Sequence, residues 1–125
     1  MSSESLHESP DELSSETKDI HRAIVSLMEE LEAVDWYNQR AEASTDDELK
    51  AVLTHNKNEE IEHAMMVLEW IRRKQPVFAK NIHTYIGSVG PITEVEAQAI
   101  AGGGGSTPSG TSSTSLGIGS LKGAK

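Results

Sequence analysis

Glu59-Glu60-Ile61-Glu62-His63 lies inside a long helical pattern, and the spacing Glu60-x-x-His63 governs how the rest of the chain is read. In an α-helix, at about 100° per residue, positions three apart share one face. Measured from Glu60, Leu53, Ala64 and Ile71 fall within about 40° on one side, and Leu49, Asn56, His63 and Val67 within about 60° on the other. The carboxylate and the imidazole thus interrupt an apolar stripe and are expected off the wet face. A buried carboxylate without a partner takes up a proton or finds a cation. An oxygen–nitrogen pair of this kind suits iron, manganese or zinc. It suits equally a hydrogen-bonded polar break that fixes helix register. Glu-x-x-His occurs by chance in many helices, so the spacing alone leaves both readings open.

Upstream, Ile20, Ile24, Leu27, Leu31 and Val34 recur at spacings of four, three, four and three. This heptad-like seam predicts a helix from about Ser15 to Arg40 or Ala43, roughly 40 Å long and lying against another helix. Ser44-Thr45-Asp46-Asp47-Glu48 is a break and a new start, with Thr45 and Glu48 fitting a capping box. A second helix is expected from about Asp46 to Lys74, with Arg72, Arg73 and Lys74 in its last turn and Pro76 stopping it. So short a link makes the two long helices antiparallel neighbours. Pro76 to Ile86 predicts a shorter helix with Val77, Phe78, Ile82, Tyr85 and Ile86 as its apolar side, ended by Gly87, Gly90 and Pro91. Ile92 to Ile100 has room for one or two further turns. No stretch alternates with period two long enough to make a strand. The expected fold class is all-α: an antiparallel two-long-helix hairpin plus a short C-terminal helix.

The chain has 125 residues, a net charge of −9 and no cysteine. The acidity argues against nucleic acid, whose phosphates reward basic patches. The lack of cysteine removes disulfides and thiolate metal sites. There is no run of apolar residues long enough for a membrane span, and the polar, acidic N-terminus does not read as a signal peptide. A cytoplasmic protein is expected. Residues 1–14 read as a mobile acidic lead-in in which His7 is an ordinary solvated histidine, and 15–100 as the helical domain. Residues 101–114 read as a Gly/Ser linker, and 115–125 as a tip carrying Leu116, Ile118 and Leu121. Three aliphatics on a Gly-rich tether describe a docking peptide, against the plainer reading of a tail with incidental aliphatics. The folding part, about 80 residues, is thin for a monomer core and points to an oligomer.

The first helix carries Glu29, Glu30 and Glu32 in the middle of its seam. Glu30 lies about 20° to 60° around from Val34 and Leu27, with Tyr37 about 20° beyond it. Glu29 and Glu32 face the other way. Glu30 and Glu60 stand at similar distances from the turn, so an antiparallel hairpin brings them to one level. Ferritin-like di-iron bundles use one Glu from each of two helices and Glu-x-x-His from each of two others. This chain holds half of that set: Glu30, Glu60 and His63. Two copies complete it, which predicts a dimer forming a four-helix bundle with two metals at its interface and three ligands from each chain. The expected chemistry is oxidation of Fe(II) to Fe(III). Glu29 and Glu32 are candidates to hold incoming iron, against plain acidic surface. Tyr37 is a candidate to hydrogen-bond a ligand carboxylate, with its neighbour Trp36 beside it; simple packing explains both equally well. His55, Glu59 and Glu62 form an outer-face group expected to meet solvent.

The stretch His21-Arg22-Ala23-Ile24-Val25-Ser26-Leu27-Met28-Glu29-Glu30-Leu31-Glu32-Ala33-Val34-Asp35-Trp36-Tyr37 closely resembles the first helix of the encapsulated ferritins. His55-Asn56, Glu59 to His63 and Leu68-Glu69-Trp70 are similar to their second helix. Gly90-Pro91-Ile92-Thr93 and the 115–123 tip resemble the family too. The resemblance implies a ferroxidase built from two-helix half-ferritins that pair around two irons per dimer and assemble into a ring, typically a decamer. It implies Glu30, Glu60 and His63 as ferroxidase ligands, and Glu29 and Glu32 as the place where metal comes in. It also implies Leu116, Ile118 and Leu121 as anchors that dock the ring inside an encapsulin nanocompartment, where oxidised iron is stored. A competing reading is a non-catalytic helical adaptor with a buried polar network and a partner-docking tail.

Overall fold

The computed structural model describes residues 5–105. The described residues are all-helical, with no strand: a single 3-10 turn at Pro10–Glu12, then α1 (Ser15–Ala43), α2 (Asp47–Lys74), α3 (Pro76–Tyr85) and α4 (Ile92–Gly105). The chain divides into two compact units, Met1–Gln75 and Pro76–Lys125. In the first, α1 and α2 pack along each other as the hairpin that the two apolar seams require.

Local chemistry sets the ends of both long helices. Ser14 opens α1, its side chain accepting a hydrogen bond from the Thr17 backbone N–H at 3.1 Å. The cap of α2 differs from the expected Thr45–Glu48 box. Asp46 is the cap, and its carboxylate accepts from the Leu49 N–H at 2.8 Å. The reason lies two residues earlier: the Ser44 hydroxyl accepts from the Asp46 N–H at 3.2 Å and donates to the Asp46 carbonyl at 3.3 Å. That bracket makes Asp46 the last non-helical residue and aims its carboxylate at the free N–H groups. Arg72, Arg73 and Lys74 occupy the last turn of α2 as expected.

The interior of the hairpin is small. Ala41, Ala64 and Ile71 are its buried apolar residues, and Ile71 is the one large side chain sealed completely among the described residues. Alanine on each helix lets the backbones approach; Ile71 fills the space near the end of α2. Much of the remaining apolar surface is open: Leu31 is 51% exposed, Ile61 42% and Met66 65%. A single hairpin therefore leaves the seams half served.

Two helices follow the hairpin, the second in the stretch with room for further turns after Ile92. In the second unit α3 and α4 pack together, joined through a turn in which Gly87 and Gly90 take φ of +82° and +92°. Those angles are reached without strain only by glycine. The Ser88 hydroxyl donates to the Tyr85 carbonyl at 2.7 Å and closes the end of α3. Helix α4 runs to Gly105, past the expected linker boundary at residue 101. Propagation from the good helix formers of Ala97-Gln98-Ala99-Ile100-Ala101 carries one turn into the glycines, although each costs about 1 kcal/mol relative to alanine. No helix among the described residues is long and apolar enough to cross a membrane.

Candidate metal centre

Glu30 comes from the middle of α1, and Glu60 and His63 from the middle of α2. The antiparallel hairpin brings them together. The Nδ1 of His63 lies 3.1 Å from Oε1 of Glu60 and 3.9 Å from Oε1 of Glu30. One potential ligand atom from each of the three residues falls within 4.8 Å of the other two. Side-chain exposure is 28% for Glu30, 25% for Glu60 and 46% for His63, so in one chain the cluster is a half-open shelf, not an enclosed pocket. The sequence pattern places it on a core-facing stripe, which the hairpin alone leaves half covered.

The three groups hold one another's protons. The Glu60 carboxyl is pushed below its ordinary range, first by its hydrogen bond with Glu30 and then by that with His63. The same Glu60 contact, with burial second, raises Glu30. His63 is raised, first by its hydrogen bond to Glu60. Glu30 and the imidazole thus keep their protons to higher pH than isolated groups, while Glu60 stays anionic between them. A cation bound there would displace those protons and substitute its own charge.

The donor set fits a transition metal. Two carboxylate oxygens and one imidazole nitrogen form the mixed hard and borderline environment that iron, manganese and zinc accept. Three such groups at one half-open corner could hold a metal ion and would leave part of its coordination sphere to other donors.

Among the described residues this is the one group of three or more such side chains close enough to share an ion. Glu29 and Glu32 are exposed and do not join it, and neither do His55, Glu59 and Glu62. Tyr37 makes no hydrogen bond to the three clustered side chains within the chain. Its ring and that of Trp36 lie under the Arg40 guanidinium, at 5.6 and 5.9 Å from the ring centroids. Arg40 was not singled out from the sequence, although its i+3 and i+4 spacing to the two rings was there to find. Glu69 is clamped by Arg72, at 2.7 and 2.8 Å, and by Arg73, at 2.7 Å. Lys57 Nζ donates to Asn38 Oδ1 across the hairpin at 3.4 Å. Leu116, Ile118 and Leu121 lie outside the described residues.

Comparison with known proteins agrees with this hairpin. The EncFtn-like family model matches residues 5–88, which include both long helices and all three clustered side chains. An encapsulated ferritin-like protein of Rhodospirillum rubrum is 55% identical over 128 aligned positions, covering 98% of this chain and 91% of the relative. A ferritin-like protein of Thermotoga maritima is 44% identical over 96 positions, covering 77% of this chain and 84% of the relative. A crystal structure of a protein from Nitrosomonas europaea superposes with a TM-score of 0.68 at 59% identity, covering 70% of this chain and 96% of that one. By matched length, identity and fold, this chain belongs to the EncFtn-like family, and that ferritin-like kinship implies an iron-related function.

Proposed function

We propose that the chain is half of a ferroxidase, with Fe(II) as its substrate and dioxygen as the electron acceptor. The observation that carries this reading is the convergence of Glu30, Glu60 and His63 on one half-open corner of a hairpin whose apolar surface is itself half uncovered. A second copy supplies both missing parts at once: the same three ligands again, and the apolar seam that covers Leu31 and Ile61. The pair holds two irons in a four-helix bundle, the arrangement that gives ferritin-like sites their paired carboxylates and imidazoles.

The roles follow from the donor chemistry. Glu60, kept anionic, is the first of the three clustered groups to hold the cation. Glu30 and His63 yield their protons as the metal arrives, which helps offset its charge. Each Fe(II) gives one electron toward dioxygen and leaves as Fe(III), a harder ion for which carboxylate is the better partner. Glu29 and Glu32 hold iron on its way in, and Tyr37, with Trp36 beside it, supports the ligands from the dimer partner's side. The assembly proceeds to a ring, with a decamer as the expected size. Residues 115–125, through Leu116, Ile118 and Leu121, dock it inside an encapsulin compartment in the cytoplasm, with the Gly/Ser stretch before them as tether. The name of the Rhodospirillum rubrum relative supports encapsulation.

The test is oxygen uptake by purified protein loaded anaerobically with Fe(II) and then given air, beside Glu60→Ala and His63→Ala, with the oligomer mass measured for each. Rapid uptake in the wild type and background rates in both variants are expected. Background uptake from a fully assembled wild type would sink the ferroxidase reading and leave the non-catalytic adaptor, in which the 3.1 Å Glu60–His63 contact is a polar network alone.

A further inference from the structure

Of the four arginines in the chain, three hold carboxylates: Arg22 pairs with Asp19 at 2.6 Å, and Arg72 and Arg73 share Glu69. Arg40 has no carboxylate partner among the described residues. Its guanidinium stands instead over two adjacent aromatic rings, 5.6 Å from the Tyr37 centroid and 5.9 Å from that of Trp36. The pattern recurs on α2, where Lys74 Nζ lies 5.9 Å from the Trp70 ring centroid. Both tryptophans of the chain therefore carry a cation from the last turn of their own helix.

Tyr and Trp are the side chains that surrender a single electron most easily. A cation over the ring is attracted to the electron-rich face of the neutral form. It repels the radical cation that electron loss creates. The guanidinium keeps its charge at every relevant pH, and in Arg40 no carboxylate neutralises it. Tyr37 stands two turns from Glu30 on the same stripe, about 10 Å along the helix. That puts two oxidisable rings within about two helical turns of the corner where iron and dioxygen would react.

We propose that Arg40 protects the Trp36–Tyr37 pair from one-electron oxidation, its charge making electron loss from either ring less favourable. The oxidant it guards against rests on the ferroxidase reading; the effect on the rings does not. During iron turnover, peroxide from reduced dioxygen takes one electron from Fe(II) and splits into hydroxide and a hydroxyl radical. That radical takes one electron from the Tyr37 or Trp36 ring and becomes hydroxide; the ring radical cation then releases its O–H or N–H proton, which turns the hydroxide into water. Arg40 acts through the rings and touches no iron ligand, so it is a positioning residue.

The experiment uses the full-length, metal-free protein exposed to the azidyl radical, an uncharged one-electron oxidant that surface charge does not steer. Each azidyl radical takes one electron from a ring and becomes azide, and the ring then releases its N–H or O–H proton to water. Peptide mass spectrometry reads the oxidised fraction at Trp36 and Tyr37 relative to Trp70, whose own cation is unchanged. Arg40→Gln is expected to raise that ratio about threefold, the factor that a unit charge at this separation gives even in a water-like medium. Arg40→Lys restores most of the protection, which a purely structural role would not. Lys74→Gln shifts the ratio the other way by exposing Trp70, and decides the matter if Arg40→Gln fails to fold. An unchanged ratio in a folded Arg40→Gln, or in Lys74→Gln if that substitution alone is available, overturns the proposal. A second arm follows the tyrosyl radical by electron paramagnetic resonance after Fe(II) and air. No oxygen uptake there removes the ferroxidase reading while the azidyl result still decides the role of Arg40.

Discussion

Replacing Ile71 by alanine tests where the hairpin keeps its strength. Ile71 is fully buried, and among the described residues no other large side chain is. The substitution removes about three methylene equivalents from a sealed site, at about 0.8 kcal/mol each, or roughly 2.4 kcal/mol. A cavity term adds to this. If the neighbours close most of the gap and about 25 Å³ stays empty, the addition is about 0.6 kcal/mol. The total is about 3 kcal/mol per chain, within the usual span for such truncations. For a folding unit of this size it lowers the melting midpoint by about 12–24 °C. The assay is thermal unfolding followed by far-ultraviolet circular dichroism, in chelated buffer. All variants are held at one chain concentration because assembly makes the midpoint depend on it. A loss below about 1 kcal/mol would refute the reasoning, since a side chain on an open surface costs that little.

Three more outcomes follow from the same structure. Leu31→Asp puts a charge on apolar surface that is half exposed in one chain and, under the proposed pairing, covered by another. Native mass spectrometry should show single chains with background oxygen uptake, and a retained oligomer would remove the pairing surface. Asp46→Ala strips the α2 cap and should cost about 1 kcal/mol in urea unfolding, most of it restored by Asp46→Asn; equal midpoints for all three would return the cap to Thr45. The Glu69 carboxyl is held down to about 2 by hydrogen bonds from Arg72 and then Arg73. A depressed carboxyl contributes above its unfolded value, here 4.5, and that contribution disappears as pH falls through the folded one. The stability gap between wild type and Glu69→Gln, below about 1 kcal/mol because the pair is half exposed, should therefore close between pH 4.5 and 2. A gap that stays constant across that window would show that the clamp carries no net charge effect.

Most of the architecture was legible because the signals were long and mutually consistent. The four-three spacing from Ile20 to Val34 makes one helix, and the stretch from Asp47 to Lys74 makes the other. The meeting of Glu30, Glu60 and His63 was legible for a geometric reason. Glu30 and Glu60 are each fifteen residues from Thr45, at the centre of the turn, so a hairpin levels them. The exact cap was not, because Thr45 and Asp46 are both good caps and the Ser44 bracket that chooses between them exists only in three dimensions. Arg40 over Trp36 and Tyr37 was missed because long side chains choose among several rotamers that spacing alone does not select. The half-open state of the cluster in one chain accords with the half set of ligands in the sequence, although the helical period alone placed Glu60 and His63 off the wet face. Periodicity shows which face wants to be buried; it was the thin core and the half set of ligands that pointed to another copy as the cover.

The sparse interior of the hairpin has a consequence for the newly made chain. With so few apolar side chains of its own to seal, it must travel with sticky surface in the open, in Leu31, Ile61, Met65 and Met66. The net charge of −9 is the counterweight. Like-charged chains repel in most mutual orientations, which keeps random clumping slow. Salt shortens that repulsion to about 8 Å at physiological strength, so faces that fit can still close once aligned. Acidity here works as a colloidal safeguard, buying time for the correct encounter.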